Sequence, residues 1–86
     1  MPVTQEELNA LFPQDDLGNF RDFTFDDGIG KFVGHVVSTK FRKRSVPARQ
    51  KFVWDQLREK FGADSAEISL VLTFTPEEYE EIKDAA

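Results

Sequence analysis

The feature that most constrains the fold is a helical segment, residues 45–61, that lies between stretches of β-type sequence. Ser45 is a typical N-cap residue, and Gly62 is typical of the position just after the end of a helix. The apolar residues of the segment recur at helical spacing on one side: Val46, Val53, Trp54, Leu57 and Phe61. We therefore predict one long helix that buries this stripe, with Trp54 and Leu57 in the core.

Alternating segments on both sides of this helix predict three strands. Residues 20–26 and 31–38 are joined by an Asp-Gly turn at residues 26–30, which is typical of a β-hairpin. Residues 66–74 alternate most regularly, and their larger apolar side chains form one face: Ile68, Leu70, Leu72 and Phe74. A hairpin followed by a helical crossover places the third strand parallel to the second.

Two short helices complete the pattern. Thr4 and Glu7 form a capping box at the start of residues 4–12. Thr75 and Glu78 frame the start of a last helix that opens with Pro76. The predicted order is α-β-β-α-β-α, an α+β fold in which a three-stranded mixed sheet carries its helices on one face.

Composition bounds the class of protein. The chain has 86 residues and is predicted to form a single domain, residues 1–86. It contains no cysteine, which excludes disulfides, thiolate zinc sites, cysteine-held iron–sulfur clusters and thiol nucleophiles. No apolar stretch approaches the roughly 18 residues that span a membrane, and the N-terminal residues lack the charge pattern of a signal peptide. We expect a cytoplasmic monomer that does not bind membranes.

Charge is distributed unevenly along the chain. The formal net charge is −5, but residues 40–51 hold six of the 11 basic residues and no acidic one. The rest of the chain carries five basic and 16 acidic side chains. This stretch, the basic segment, contains the cations Lys40, Arg42, Lys43, Arg44, Arg49 and Lys51. Such polarity points to a partner of negative charge.

The basic segment is the candidate binding surface. Phe41 and Phe52 lie among its cations and, with Phe12, are the phenylalanines hardest to place in the core; Phe52 is predicted to be largely exposed. Cations at a helix N-terminus, interleaved with aromatic rings, suit nucleic acid; they equally suit an acidic protein surface, or a solvated loop that maintains solubility. The loop lacks the glycines of a nucleic-acid-binding GXXG loop. The predicted contact residues are Lys40, Phe41, Arg42, Lys43, Arg44, Arg49, Lys51 and Phe52.

Four motifs between residues 36 and 79 resemble the BolA family. They are V-V-S-x-x-F at residues 36–41, R-x-x-x-V-W at residues 49–54, Leu57, and T-P-E-E-Y at residues 75–79. Family members commonly show V-V-S-x-x-F, then R-H-R-x-V-Y, then T-P-E-E-W. The spacing of the first two motifs matches without a gap, and one extra residue is needed near residues 63–65.

The resemblance implies a type II KH-like fold, no enzymatic activity, and one of two roles: regulation by binding nucleic acid, or partnership with a monothiol glutaredoxin and its [2Fe–2S] cluster. Relatives carry a histidine near the last strand where this chain has Glu67, and a His or Cys in the hairpin loop where residues 26–30 have neither. His35, the single histidine, lies within a predicted strand. Glu67 and His35 are therefore the only metal-ligand candidates, and we predict no cofactor.

The residues show no catalytic constellation. One histidine cannot serve a nucleophilic triad without a suitably placed serine and acid, and the acidic residues 77–84 are interpreted as stabilising a helix N-terminus. The leading hypothesis is a non-enzymatic protein-interaction adaptor or regulator that acts through residues 40–52. The alternative is a regulatory protein that binds DNA or RNA, and the third hypothesis is a glutaredoxin-linked iron–sulfur partner.

Overall fold

The computed structural model describes residues 3–85, which form one sheet with helices on both of its faces. The elements run along the chain as α1 (Gln5–Leu11), β1 (Phe20–Asp26), β2 (Lys31–Val37), α2 (Val46–Phe61), β3 (Ile68–Phe74) and α3 (Pro76–Ala85). Short 3₁₀ helices, Thr39–Phe41 and Gly62–Glu67, precede and follow α2. The predicted α+β class and three-stranded mixed sheet are confirmed. Residues 1, 2 and 86 of the predicted domain lie outside the described residues.

The helix starts are set by side chains three residues away. Thr4 Oγ1 accepts a hydrogen bond from the backbone N–H of Glu7, whose carboxylate accepts from the N–H of Thr4, both at 3.2 Å. Ser45 Oγ accepts from the N–H of Ala48 at 3.3 Å and begins α2. These caps satisfy backbone donors that a helix leaves free at its first turn. The predicted N-caps Thr4, Ser45 and Thr75 are all confirmed.

The strand β2 lies in the centre of the sheet. It pairs antiparallel with β1, with Phe20 opposite Val37 and Asp26 opposite Lys31. On its other side it pairs with β3 in parallel, so the predicted direction of the third strand is confirmed. β1 and β3 are both edge strands.

A β-bulge reverses the faces of β3 after its first residue. Ile68 pairs with Phe32, but the next pair joins Leu70 to Val33, so Ser69 is an extra residue on β3. Because side chains alternate along a strand, one extra residue sends every later side chain to the other face. The uninterrupted alternation predicted for this strand is therefore wrong: Ile68 is buried, whereas Leu70 and Leu72 are 52% and 47% exposed.

The three helices do not share one face of the sheet. α1 and α2 cover the face of Phe23 and Val71, the core face, where Leu8 and Leu57 are fully buried. α3 lies on the opposite, outer face, where the ring of Tyr79 packs against three aromatic side chains: Phe20, His35 and Phe74. The prediction that all helices pack on one face is wrong for α3, because Tyr79 packs against aromatic side chains of the outer face, among them Phe74, which follows the bulge in β3.

The observed burial of three aromatic side chains at the edge of the core differs from what the sequence indicated. Leu57 is fully buried, as predicted, but Trp54 is only partly buried and lies at the edge of the core. Phe12 and Phe41, which are hard to place in the core from the sequence, are 7% and 1% exposed. Phe12 stacks on Phe23 with ring centroids 6.0 Å apart, since the end of α1 folds back over β1. These two positions correct the predicted core.

Gln50 joins α2 to the free edge of β3. Its Nε2 donates to the carbonyl oxygen of Val71 at 2.7 Å, and its Oε1 accepts from Trp54 Nε1 at 3.1 Å. Because β3 is an edge strand, this bond occupies a carbonyl that another chain would otherwise pair with. The amide thus protects the edge and holds the partly buried indole.

We expect the free energy of unfolding of the variant Gln50→Leu to be about 1 kcal/mol lower than that of the wild type, because the Trp54 N–H and the Val71 carbonyl both lose their hydrogen-bond partner. Chemical denaturation followed by tryptophan fluorescence measures the difference. Gln56→Leu is the matched control, since Gln56 lies on the same helix and makes no hydrogen bond through its side chain among residues 3–85. Equal stability of the two variants would contradict the role of the amide.

Candidate functional site

The basic segment begins with a loop built around Phe41. Ser38 Oγ accepts from the N–H of Lys40 at 3.1 Å, and the N–H of Arg44 donates to the carbonyl of Phe41 at 3.1 Å. Between them, Lys43 has φ 62, a left-handed conformation that costs a residue with a Cβ about 1 kcal/mol. The loop therefore holds the Phe41 ring inside and its cations outside, so Phe41 does not have the predicted contact role.

Arg49 is buried and fully engaged within the chain. It is 7% exposed. Its Nε donates to the carbonyl of Arg44 at 3.0 Å, and its two terminal nitrogens donate to the Glu78 carboxylate at 2.6 and 3.3 Å. These bonds, together with one from the N–H of Thr75, hold the pKa of Glu78 below its ordinary value. The predicted contact role of Arg49 is corrected accordingly, because a surface partner cannot reach a buried and paired guanidinium.

Two further cations are paired at the surface. Arg42 donates to Glu77 through Nε at 2.8 Å and through a terminal nitrogen at 2.6 Å, and these bonds lower the pKa of the Glu77 carboxyl. Lys51 binds Asp55 one turn further along α2 at 2.7 Å. Arg42 and Lys51 are therefore exposed but already matched with acidic side chains.

Two of the three remaining cations lie over an aromatic ring. Lys40, Lys43 and Arg44 are exposed and form no ion pair among residues 3–85. Lys40 Nζ and Arg44 Cζ lie 5.8 and 5.9 Å from the centroid of the Phe52 ring, within the range of cation–π attraction. Phe52 packs edge-on against Phe41 with centroids 6.0 Å apart. It is half-buried rather than largely exposed as predicted, because its ring leans on the core.

These four residues, Lys40, Lys43, Arg44 and Phe52, are called the Phe52 surface. A groove of about 120 Å³ opens beside it. Its lining includes Leu11, Pro13, Asn19, Lys40, Phe52 and Gln56. Small-molecule sites are commonly about 300–1,000 Å³. The groove therefore suits one or two side chains of a macromolecule better than an enclosed metabolite.

The two metal-ligand candidates do not meet. Glu67 immediately precedes β3, and its carboxylate accepts a hydrogen bond from the N–H of Val3 at 3.3 Å. His35 lies within β2 and stacks on Tyr79 with ring centroids 5.4 Å apart. Within the described part of the chain, no three His, Asp or Glu side chains come together in a group that could hold a metal ion.

Sequence reasoning missed a second exposed surface, on the outer face of the sheet. Leu70 and Leu72 lie there beside Val33, away from the helices of the core. In the segment I-S-L-V-L, three of the apolar residues fit one alternation and the fourth fits the other. That ambiguity is the only local signal of the bulge.

Comparison of the chain with protein-family models, with curated proteins and with solved structures finds no match. Among residues 3–85 no helix has the length and apolar character required to cross a membrane.

Proposed function

We propose that this chain is a non-enzymatic, BolA-like binding module that engages an acidic surface of a protein partner through Lys40, Lys43, Arg44 and Phe52. The observation that carries the proposal is that two exposed cations, Lys40 and Arg44, lie over the half-buried Phe52 ring with Lys43 on the same loop, and that none of the three forms an ion pair among residues 3–85, in a molecule of net charge −5. Aromatic side chains and arginine are enriched at protein interfaces, and lysines beside them attract an acidic partner during association.

The BolA-like part of the proposal is supported by the role of the motif residues in the framework. Arg49 of the second motif pairs with Glu78 of the third, and Glu78 shares a capping box with Thr75. Ser38 of the first motif caps the loop that buries Phe41. Residues matching these motifs thus stabilise the fold, and the chain meets a partner with other residues.

A protein partner is favoured over nucleic acid by the neighbouring carboxylates. Glu77 and Asp55 are exposed and pair with Arg42 and Lys51, so acidic groups accompany the basic segment. An extended phosphate backbone would meet these groups as well as the three free cations. Nucleic acid remains the alternative, since base stacking on Phe52 would suit a single strand.

A monothiol glutaredoxin is one candidate protein partner, as the family resemblance implies. Sharing an iron–sulfur cluster with it would need a ligand from this chain, and the two candidates are separated along the sheet: Glu67 precedes Ile68, which pairs with Phe32, whereas His35 pairs with Leu72. Carboxylate is also a poor match for iron held by soft sulfur ligands. We therefore propose protein contact without a shared cluster.

Charge reversal tests the proposal. We expect the variant Lys40→Glu/Lys43→Glu/Arg44→Glu to bind a partner purified from nuclease-treated native lysate at least about 30-fold more weakly than the wild type, chiefly through a lower association rate. Because all three side chains are exposed and unpaired, we expect the fold to be retained. Surface plasmon resonance at two salt concentrations measures both rate constants.

The matched control is Lys31→Glu/Lys60→Glu/Lys83→Glu, which makes the same change of net charge at exposed positions outside the basic segment. Equal losses in both variants would show that net charge alone matters and would contradict the proposal. A short single strand or duplex that binds the wild type with a log–log salt slope of about −2 to −3, lost in the first variant only, would favour the nucleic-acid alternative.

A further inference from the structure

The outer face of the sheet is only partly covered. Tyr79 of α3 packs over His35 at one end of this face. The other end exposes Leu70 and Leu72 to 52% and 47%, and Val33 lies opposite Leu70 on the adjacent strand. Together they line a depression of about 280 Å³ that crosses the sheet. These apolar side chains are grouped on one face of the sheet instead of being scattered singly over the surface.

Acidic side chains border the strip along β1. Asp22 lies opposite His35, and Asp26 lies opposite Lys31, all on the outer face. Neither aspartate forms an ion pair among residues 3–85. Lys31, the first residue of β2 after the hairpin turn, is the one lysine or arginine that the described strands place on this face. Lys31 accompanies Asp26, so Asp22, which lines the depression, is the border residue that favours positive charge in whatever covers the strip.

The dimensions of the strip match one helix. Neighbouring strands lie about 4.8 Å apart, so three strands span about 10 Å, which is the diameter of an α-helix with its side chains. A helix laid on this face would complete a third layer over the sheet, opposite α1 and α2. Such a helix must be amphipathic, since one side would contact leucines and the other would face water.

We propose that the outer-face strip of Val33, Leu70 and Leu72 binds an amphipathic helix of a partner protein that carries Lys or Arg along the flank facing Asp22. A second copy packed through the same face suits the strip less well, because it would bring its own Asp22 and Asp26 towards those of the first copy. The proposal uses no residue of the Phe52 surface and stands independently of it.

Selection from a displayed library of 18-residue helices tests the proposal. Each library member carries a leucine stripe at helical spacing, with Lys or Glu allowed at the flanking positions. Library members that bind the variant Leu70→Thr/Leu72→Thr are removed first. Because this variant keeps the Phe52 surface, the step discards peptides that bind there. The remaining members are then selected for binding to the wild type. Threonine is compatible with strands and both leucines are about half exposed, so we expect this variant to fold; circular dichroism checks it. We expect the survivors to carry Lys at the flanks.

Purified survivors are then measured by fluorescence anisotropy. We expect Leu70→Thr/Leu72→Thr to weaken binding at least tenfold, and Asp22→Asn to weaken it twofold to fivefold at low salt but not at high salt. The control Leu17→Thr/Ile29→Thr removes two exposed apolar side chains from loops and should leave the affinity unchanged. No survivors, or survivors with Glu at the flanks, would overturn the proposal. So would a wild-type dimer in sedimentation that Leu70→Thr/Leu72→Thr dissociates.

Discussion

The variant Gly34→Ala is expected to lose about 3 kcal/mol or more of its free energy of unfolding and to melt roughly 15 °C lower than the wild type. Gly34 lies in the central strand under the ring of Phe23. A Cβ at this position would lie 2.7 Å from Phe23 Cδ1 and 2.9 Å from Phe23 Cα, and would also meet the carbonyl oxygen of Asp22. Backbone atoms of the neighbouring strand cannot move away without breaking the β1–β2 pairing.

Thermal unfolding followed by circular dichroism measures this effect, and Gly30→Ala provides the control. Gly30 lies in the hairpin turn with φ 68, and a Cβ there would meet no atom within 4 Å. Its replacement should cost only the strain of a left-handed residue, about 1 kcal/mol. A melting temperature of Gly34→Ala equal to that of Gly30→Ala would contradict the packing of Phe23 on β2.

The variant Glu78→Gln is expected to be about 2 kcal/mol less stable than the wild type at neutral pH. It leaves the guanidinium of Arg49, whose side chain is 8% exposed, without a counter-charge. Removing one partner of a fully buried pair costs about 3–5 kcal/mol, and the smaller figure reflects the 45% exposure of the Glu78 side chain. Urea denaturation measures the difference. Glu77→Gln breaks the exposed pair with Arg42 and should change stability far less.

The same ion pair predicts an acid dependence. Hydrogen bonds from Arg49, followed by the bond from the Thr75 N–H, lower the pKa of Glu78 in the folded chain. A carboxylate whose pKa is lower in the folded chain than in the unfolded chain stabilises the fold. This stabilisation is complete above the pKa of the unfolded chain, and it is lost as the pH falls through the pKa of the folded chain. We therefore expect the difference between wild type and Glu78→Gln to shrink below about pH 5. A difference that stays constant down to pH 3 would contradict the assignment.

Local elements were predictable because their signals lie within a few residues. The capping box of Thr4 and Glu7 and the N-cap of Ser45 act over three residues, and both begin helices where predicted. The hairpin of β1 and β2 follows from its Asp-Gly turn, and the apolar stripe of α2 places Leu57 in the core. Each signal depends on backbone periodicity or on a cap, not on distant partners.

The candidate site was predictable only in part. The sequence identifies six cations in residues 40–51 but not which of them are free. The partner of Arg42 is 35 residues away and that of Arg49 is 29 residues away, so both pairs depend on where α3 docks. Phe41 is buried for a similar reason, because the loop closes over a core assembled from other elements.

The sequence by itself determined the kind and order of the local segments: where the helices begin, where the hairpin turns, and where positive charge accumulates. Only the tertiary structure decided which face each side chain of β3 occupies, on which side α3 packs, and which cations reach solvent. One extra residue at Ser69 moved Leu70 and Leu72 from the expected alternation to an exposed surface. The physical reason is that caps and periodicity act along the chain, whereas register, burial and ion pairing depend on residues that meet only when the sheet has formed.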